Sequence, residues 1–171
     1  QNISYIHPNK ELLFDGINLT INPHDKIALI GNNGAGKSTL LKIITNELQP
    51  SLGRIEVEST PYYVPQVFGQ FNHLNIAQAL GVEDKLNALK QILAGNATEE
   101  NFTVLNDDWT IEDRCKDALA YWQLESLELS QPMASLSGGQ KTKVFLSGIQ
   151  IHQAEIVLLD EPSNHLDVAS R

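Results

Sequence analysis

Eight residues carry a complete phosphate-gripping spacing: Gly31, Asn32, Asn33, Gly34, Ala35, Gly36, Lys37 and Ser38, or G-x-x-x-x-G-K-S. Such a loop works through its backbone. The glycines let N–H groups turn inward around phosphate oxygens, and a helix starting at the loop adds the positive end of its dipole. On this reading Lys37 reaches the β- and γ-phosphates of a nucleoside triphosphate, and Ser38 holds Mg²⁺. The motif needs a strand before it and a helix after it. Ile27, Ala28, Leu29 and Ile30 offer the strand; Thr39, Leu40, Leu41, Lys42, Ile43 and Ile44 offer the helix. A dinucleotide fingerprint is excluded, because Gly34-Ala35-Gly36 is followed by Lys37, Ser38 and Thr39 with no third glycine.

A second group of reactive residues follows another apolar run. Ile156, Val157, Leu158 and Leu159 read as a strand buried on both faces of a parallel sheet, and Asp160 and Glu161 stand at its end. Ligands bind at the carboxyl ends of such strands. Asp160 is expected to hold Mg²⁺ with Ser38 through water, and Glu161 to polarise the water that attacks the γ-phosphate. Phosphoryl transfer asks for positioning and charge neutralisation rather than covalent chemistry, and these residues provide both.

The third group is Leu136, Ser137, Gly138, Gly139 and Gln140. Ser137 and Gln140 have the spacing of a capping box, which opens a helix running to about Ile151. Alone, the pentapeptide is an ordinary helix start. In a chain that already owns a phosphate loop, a second anion cradle makes sense if it serves a nucleotide bound to a partner domain.

The elements that must position these groups fall into three stretches. Short strands are expected at residues 2–6, at 17–21 (Ile17, Leu19 and Ile21 alternate with polar residues), at 53–58 and around 61–65. Turns at 7–10 and 23–25 separate the first of them. From about Asn75 to Leu129 the period becomes helical. Leu86, Leu89 and Leu93 share a face, as do Cys115, Ala118, Leu119 and Trp122. Thr110 with Asp113 resembles a capping box with Asp in place of Glu or Gln. Residues 95–108 are polar and read as loop. Cys115 reads as a small buried hydrophobe rather than a nucleophile.

The 171 residues, 42% hydrophobic, suffice for one sizeable core with a subdomain. No stretch approaches the roughly 20 apolar residues that cross a bilayer. The start lacks the basic and apolar regions of a signal peptide, and the missing initiator Met suggests a trimmed chain. A single cysteine excludes an internal disulfide and fits a reducing, cytoplasmic compartment. The formal charge of −9 lacks the basic footprint of a nucleic-acid binder, so contacts with RNA would lie elsewhere in a longer protein.

Taken together, the motifs resemble those of the ATP-binding cassette ATPases, in the same order and spacing: Walker A at residues 31–38, the Q-loop at Gln66 in Val64-Pro65-Gln66, the signature at 136–140, and Walker B at 156–160 with Glu161. The resemblance spans essentially the whole chain. It implies an α/β fold, a P-loop NTPase with a RecA-like core, an N-terminal antiparallel β-subdomain and a helical subdomain. Residues 1–171 would be one partial cassette, with 1–66 and 136–171 forming the nucleotide-binding core and 67–135 the helical part. It implies ATP as substrate and Mg²⁺ as cofactor. The catalytic residues would be Glu161, Gln66 and Lys37. Nucleotide would be held by Tyr5, as the adenine-stacking aromatic, and by Gly31 through Thr39. The metal would be held by Ser38, Gln66 and Asp160, and Leu136 through Gln140 would face the ATP of a second cassette, in the same chain or a dimer.

Leu159-Asp160-Glu161-Pro162-Ser163-Asn164-His165-Leu166-Asp167 narrows the resemblance to the ABC-F class. Members are soluble twin-cassette proteins without a membrane domain, acting on the ribosome as translation factors or antibiotic-resistance proteins. Asn164 to Asp167 would be the D-loop. The alternative is the ATP-binding subunit of a membrane transporter, with a groove near Gln66 for the membrane domain. Four departures stand out. Ser163 replaces a usual Thr. His24 stands where Gly is common, and a positive φ suits His poorly. Lys143 replaces a frequent Arg, and Ser147-Gly148-Ile149 an Ala-Arg-Ala run. The family's switch histidine is expected downstream of Arg171, with the last part of the core.

Overall fold

The computed structural model describes residues 1–161. The chain divides into two compact units, residues 1–63 with 155–160, and residues 64–154 with the segment that begins at Glu161.

The first unit is built on a hairpin. Strand β1 (Ile3–Ile6) pairs antiparallel with β2 (Leu12–Ile17), closed by a turn in which Lys10 N–H donates to His7 C=O. The partners are Ile6 with Leu12, Tyr5 with Phe14 and Ile3 with Ile17, so β2 carries an extra residue between the first two pairs and another, a bulge at Asp15 and Gly16, between the last two. That bulge explains why the alternation misplaces this strand at 17–21. It breaks the period of two over Phe14, Asp15 and Gly16, and the ladder ends at Ile17. Buried Ser4 ties the bulge together: its Oγ donates to Asp15 and accepts from Gly16 N–H.

Helix α1 (Lys37–Ile44) packs Leu40 and Ile43 against Ile3, with Tyr5, Phe14, Ile17, Leu48 and Ile55 around them. Gly53 packs against the backbone that leads into β1. Its φ is +84°, and a Cβ there would lie 2.2 Å from Asn2 C=O, a close approach only glycine permits.

Strands β3 (Tyr62–Val64) and β4 (Val157–Leu159) form a second two-stranded sheet, with Tyr62 N–H donating to Ile156 C=O. Two expected strands are not formed. Residues 27–30 and 53–58 are irregular, and Ile30 is 95% exposed. A doubly buried strand exists only through flanking neighbours that take up its N–H and C=O groups. Among the described residues no strand pairs with 27–30 or with 53–58.

His24, standing where the resemblance puts a common Gly, takes a φ of +71°. Left-handed backbone costs a non-glycine residue ~1–2 kcal/mol, partly offset in a Gly variant by the entropy of its unfolded chain. We expect His24→Gly to stabilise the protein by ~0.5 kcal/mol. Urea unfolding would read this, and a lower midpoint would contradict it.

The second unit is helical: α2 (Ile76–Ala79), α3 (Glu83–Leu93), α4 (Glu99–Leu105), α5 (Ile111–Tyr121) and α6 (Gly138–Ile151). Its interior holds Ile76, Val82, Leu105, Ile111, Met133, Val144 and Ile151, all fully buried. Phe145 stacks on Phe68 at 5.2 Å. Cys115 is buried, as expected, and burial pushes its thiol up to about 11, so it is no thiolate at neutral pH.

Three expectations need correction here. Residues 95–108 contain α4, whose start is signalled by Thr98, which accepts from Asn101 N–H, and by Glu99 and Glu100 in the first turn. Thr110 does not cap α5: its Oγ1 accepts from Arg114 Nη1 instead, and its backbone does not take the extended cap conformation. Leu93 is exposed, because α3 ends there and Gly95 (φ +93°) turns the chain away.

Arg114 is occupied by Asp108. The guanidinium grips both carboxylate oxygens at 2.7 Å, Lys85 Nζ adds a third contact at 3.0 Å, and Arg114 Nε donates to Ile151 C=O. The Asp108 carboxylate thus ties α3 to α5, and Arg114 carries the link on to the end of α6. The Arg114 hydrogen bonds hold the Asp108 carboxyl below its usual range, ahead of the opposing effect of burial. A depressed folded pKa contributes stability above the unfolded value, ~3.9, and loses it as pH falls through the folded one. Asp108→Asn should cost ~1–3 kcal/mol at neutral pH and flatten the acid limb of a stability–pH curve. An unchanged acid limb would show that the clamp contributes nothing.

Candidate functional site

The phosphate loop leaves most of its surface to solvent. Gly34 and Gly36 have φ of +81° and +92°, which hold the loop in a shape that side-chain-bearing residues resist. At Gly36 a Cβ would come within 2.8 Å of Phe14 Cδ1 and 3.0 Å of Leu13. The loop is therefore pressed against β2. Lys37 opens α1, and its Nζ donates to Gly31 C=O at 3.0 Å and Asn32 C=O at 3.1 Å. Ala35 N–H donates to Asn32 C=O, and Ser38 and Thr39 follow in the first helical turn, half-buried. The first N–H groups of α1 have no capping side chain and can serve an anion.

Tyr5 sits on β1 with its ring 6.2 Å from Phe14 and edge-on to His7 at 5.6 Å. Phe14 thus neighbours both the tyrosine proposed for adenine and Gly36, the residue before α1. The sequence singled out neither Phe14 nor Leu13. Their apolar character marks a core face, and only the bulged register brings them to the loop.

Asp160 follows β4 and is 4% exposed. Its Oδ2 accepts from Tyr63 Oη at 3.0 Å, and among the described residues no other group bonds its side chain. Burial, then this hydrogen bond and the carboxylate charge, push the Tyr63 phenol well above its ordinary value, so it stays a donor at neutral pH. Tyr63 was also missed, since a tyrosine in a short apolar strand carries no sign of what its hydroxyl meets.

In the second unit Gln66 and Glu161 are brought together. Gln66 Nε2 donates to Glu161 Oε2 at 2.8 Å. Glu161 has a φ of +49°, a left-handed conformation of the strained kind that collects at functional positions. Leu136 is buried, whereas Ser137 and Gly138 face solvent. The capping box forms as the spacing foretold: Gln140 N–H donates to Ser137 Oγ at 3.2 Å, and Ser137 N–H to Gln140 Oε1 at 2.9 Å. Both polar side chains of the pentapeptide are thereby committed to the helix end. The residues of the D-loop reading, Asn164 to Asp167, lie outside the described residues.

Ser38, Gln66 and Asp160 are a hydroxyl, an amide and a carboxylate, the hard oxygen donors that Mg²⁺ takes. Among the described residues no cluster of three or more His, Cys, Asp or Glu could hold a metal alone. Asp160 also fits a cation, since a buried carboxylate with one neutral partner lacks a compensating charge.

Residues 14–164 match the family model described as ABC transporter. The chain is 34% identical over 165 residues to ABC transporter F family member 3 of Arabidopsis thaliana, covering 96% of this chain and 20% of that protein. It is 30% identical over 171 residues to the energy-coupling factor transporter ATP-binding protein EcfA of Methanocaldococcus jannaschii, covering 98% of this chain and 59% of that one. It therefore spans less than two thirds of either relative. Among solved structures, the ATP binding subunit of an ABC transporter superposes with a TM-score of 0.71 at 22% identity, over 99% of this chain and 68% of that one. That likeness speaks to the fold, an α/β P-loop NTPase. With a family match running from the first hairpin past Glu161, this chain belongs to the ABC transporter family of ATP-binding cassettes.

Proposed function

We propose that the chain is an ATP-hydrolysing cassette of the ABC-F class, working in the cytoplasm on the ribosome. The Glu161-Pro162-Ser163-Asn164-His165-Leu166-Asp167 sequence carries the reading, and the likeness to an F family member supports it. Residues 1–66 and 136–171 form the nucleotide-binding core in this reading, and 67–135 the helical subdomain. The phosphate loop and Lys37 bind the triphosphate, Tyr5 stacks on adenine, and Glu161 takes a proton from the attacking water. Gln66, bonded to Glu161, orients that carboxylate. Ser38, Gln66 and Asp160 would hold Mg²⁺, which would supply neutralisation of the phosphate charge. Leu136 to Gln140 face the ATP of a second cassette, so each active site is shared and ATP closes the pair.

The likeness to EcfA supports a second reading, a subunit that drives a membrane domain. Among the described residues no helix is long and apolar enough to cross a membrane, so that domain would be another part of the assembly. The natural full-length protein tests the choice. Co-sedimentation with ribosomes in ATP but not ADP supports the ABC-F reading. Failure to bind ribosomes, with recovery in a detergent-solubilised complex with a membrane protein, replaces it with the transporter reading.

A further inference from the structure

We propose that Tyr63 is a positioning residue for the cation site, its hydroxyl fixing one oxygen of the Asp160 carboxylate and leaving the other for the metal. The proposal rests on the reading of Asp160 as a Mg²⁺ ligand. Three observations carry it. Asp160 is almost wholly buried, and the Tyr63 hydroxyl, 3.0 Å from Oδ2, is the one group among the described residues that bonds its side chain. Tyr63 lies on β3 and Asp160 directly follows β4, and these strands share a sheet, so backbone pairing fixes the ring relative to the carboxylate.

The chemistry of the donor is the third. A phenol is neutral. It orients the carboxylate without cancelling the charge a cation needs, whereas Lys or Arg in its place would compete with that cation. A carboxylate also rotates easily about its terminal torsion. Pinning one oxygen removes that freedom before the metal arrives, which is preorganisation.

The test uses the natural full-length protein and Mn²⁺ as the probe, read by the paramagnetic resonance signal of free Mn²⁺ at saturating ATP. ATP affinity is measured separately in EDTA. Tyr63→Phe should weaken Mn²⁺ about tenfold, the effect of one hydrogen bond to a charged group, while metal-free ATP affinity stays within about twofold. In an Asp160→Asn background the same change should have no further effect on Mn²⁺. Unaltered Mn²⁺ affinity in Tyr63→Phe overturns the proposal. So does an equal loss in both backgrounds, which would mean that the hydroxyl supports the fold generally. If Asp160→Asn alone leaves Mn²⁺ affinity intact, the metal-ligand reading of Asp160 is what fails, and the role of Tyr63 falls with it.

Discussion

Replacing Glu161 by Gln should lower ATP turnover by ~10²–10³-fold while leaving ATP bound. The amide is nearly isosteric with the carboxylate, and its carbonyl can still accept the hydrogen bond that Gln66 Nε2 gives at 2.8 Å. The pairing of the two side chains should therefore survive, and what is lost is the ability to take a proton from water. A loss of that size is ~2.7–4 kcal/mol of transition-state stabilisation, in the range of a positioned general base. Because binding and chemistry are separated, the variant should accumulate ATP-bound protein, and in a shared site it should lock two cassettes together. Single-turnover hydrolysis and size-exclusion chromatography in Mg·ATP measure the two effects. Turnover equal to the parent would remove Glu161 from the mechanism and leave an ATP-regulated binding module.

The parts of the molecule readable from sequence are those whose shape is set locally. The glycines at 34 and 36, Lys37 at the helix start, and the Ser137–Gln140 box need only neighbours a few residues away, and all take the expected form. The same holds for the helical faces of Leu86, Leu89, Cys115, Ala118 and Leu119, where a period of 3.6 reports burial directly. What could not be read depends on distant partners. Residues 27–30 have the composition of a central strand, yet a strand is defined by its neighbours, and none pairs with them among the described residues. The β2 strand was displaced because two register shifts, each of one residue, break its alternation. Tyr63 on Asp160 and Phe14 behind Gly36 are meetings across 97 and 22 residues of chain, which no local pattern encodes. The missed α4 is different: Thr98, Glu99 and Glu100 were a legible start, outweighed by the polarity of the surrounding stretch.

Lys37 separates binding from folding in the same way that Glu161 separates chemistry from binding. Its ammonium meets two carbonyls of its own loop, Gly31 at 3.0 Å and Asn32 at 3.1 Å, in contact with solvent. Solvated bonds of this kind contribute little, so Lys37→Ala should move nucleotide-free stability by less than ~1 kcal/mol. Toward a triphosphate the same ammonium makes charge-assisted bonds worth ~1.5–3 kcal/mol each, and removing it should weaken ATP by ~10²-fold. The rise in melting temperature that Mg·ATP gives the parent, which follows the ratio of ligand concentration to dissociation constant, should then largely vanish. Lys37→Arg should not restore it. A planar fork that donates in fixed directions cannot replace a compact point charge reaching between two loop carbonyls and the phosphates. Thermal shift with and without Mg·ATP reads both halves at once. A variant that keeps its nucleotide-dependent shift would show that Lys37 does not touch the phosphates, and one that melts early without nucleotide would make the lysine a structural brace of the loop.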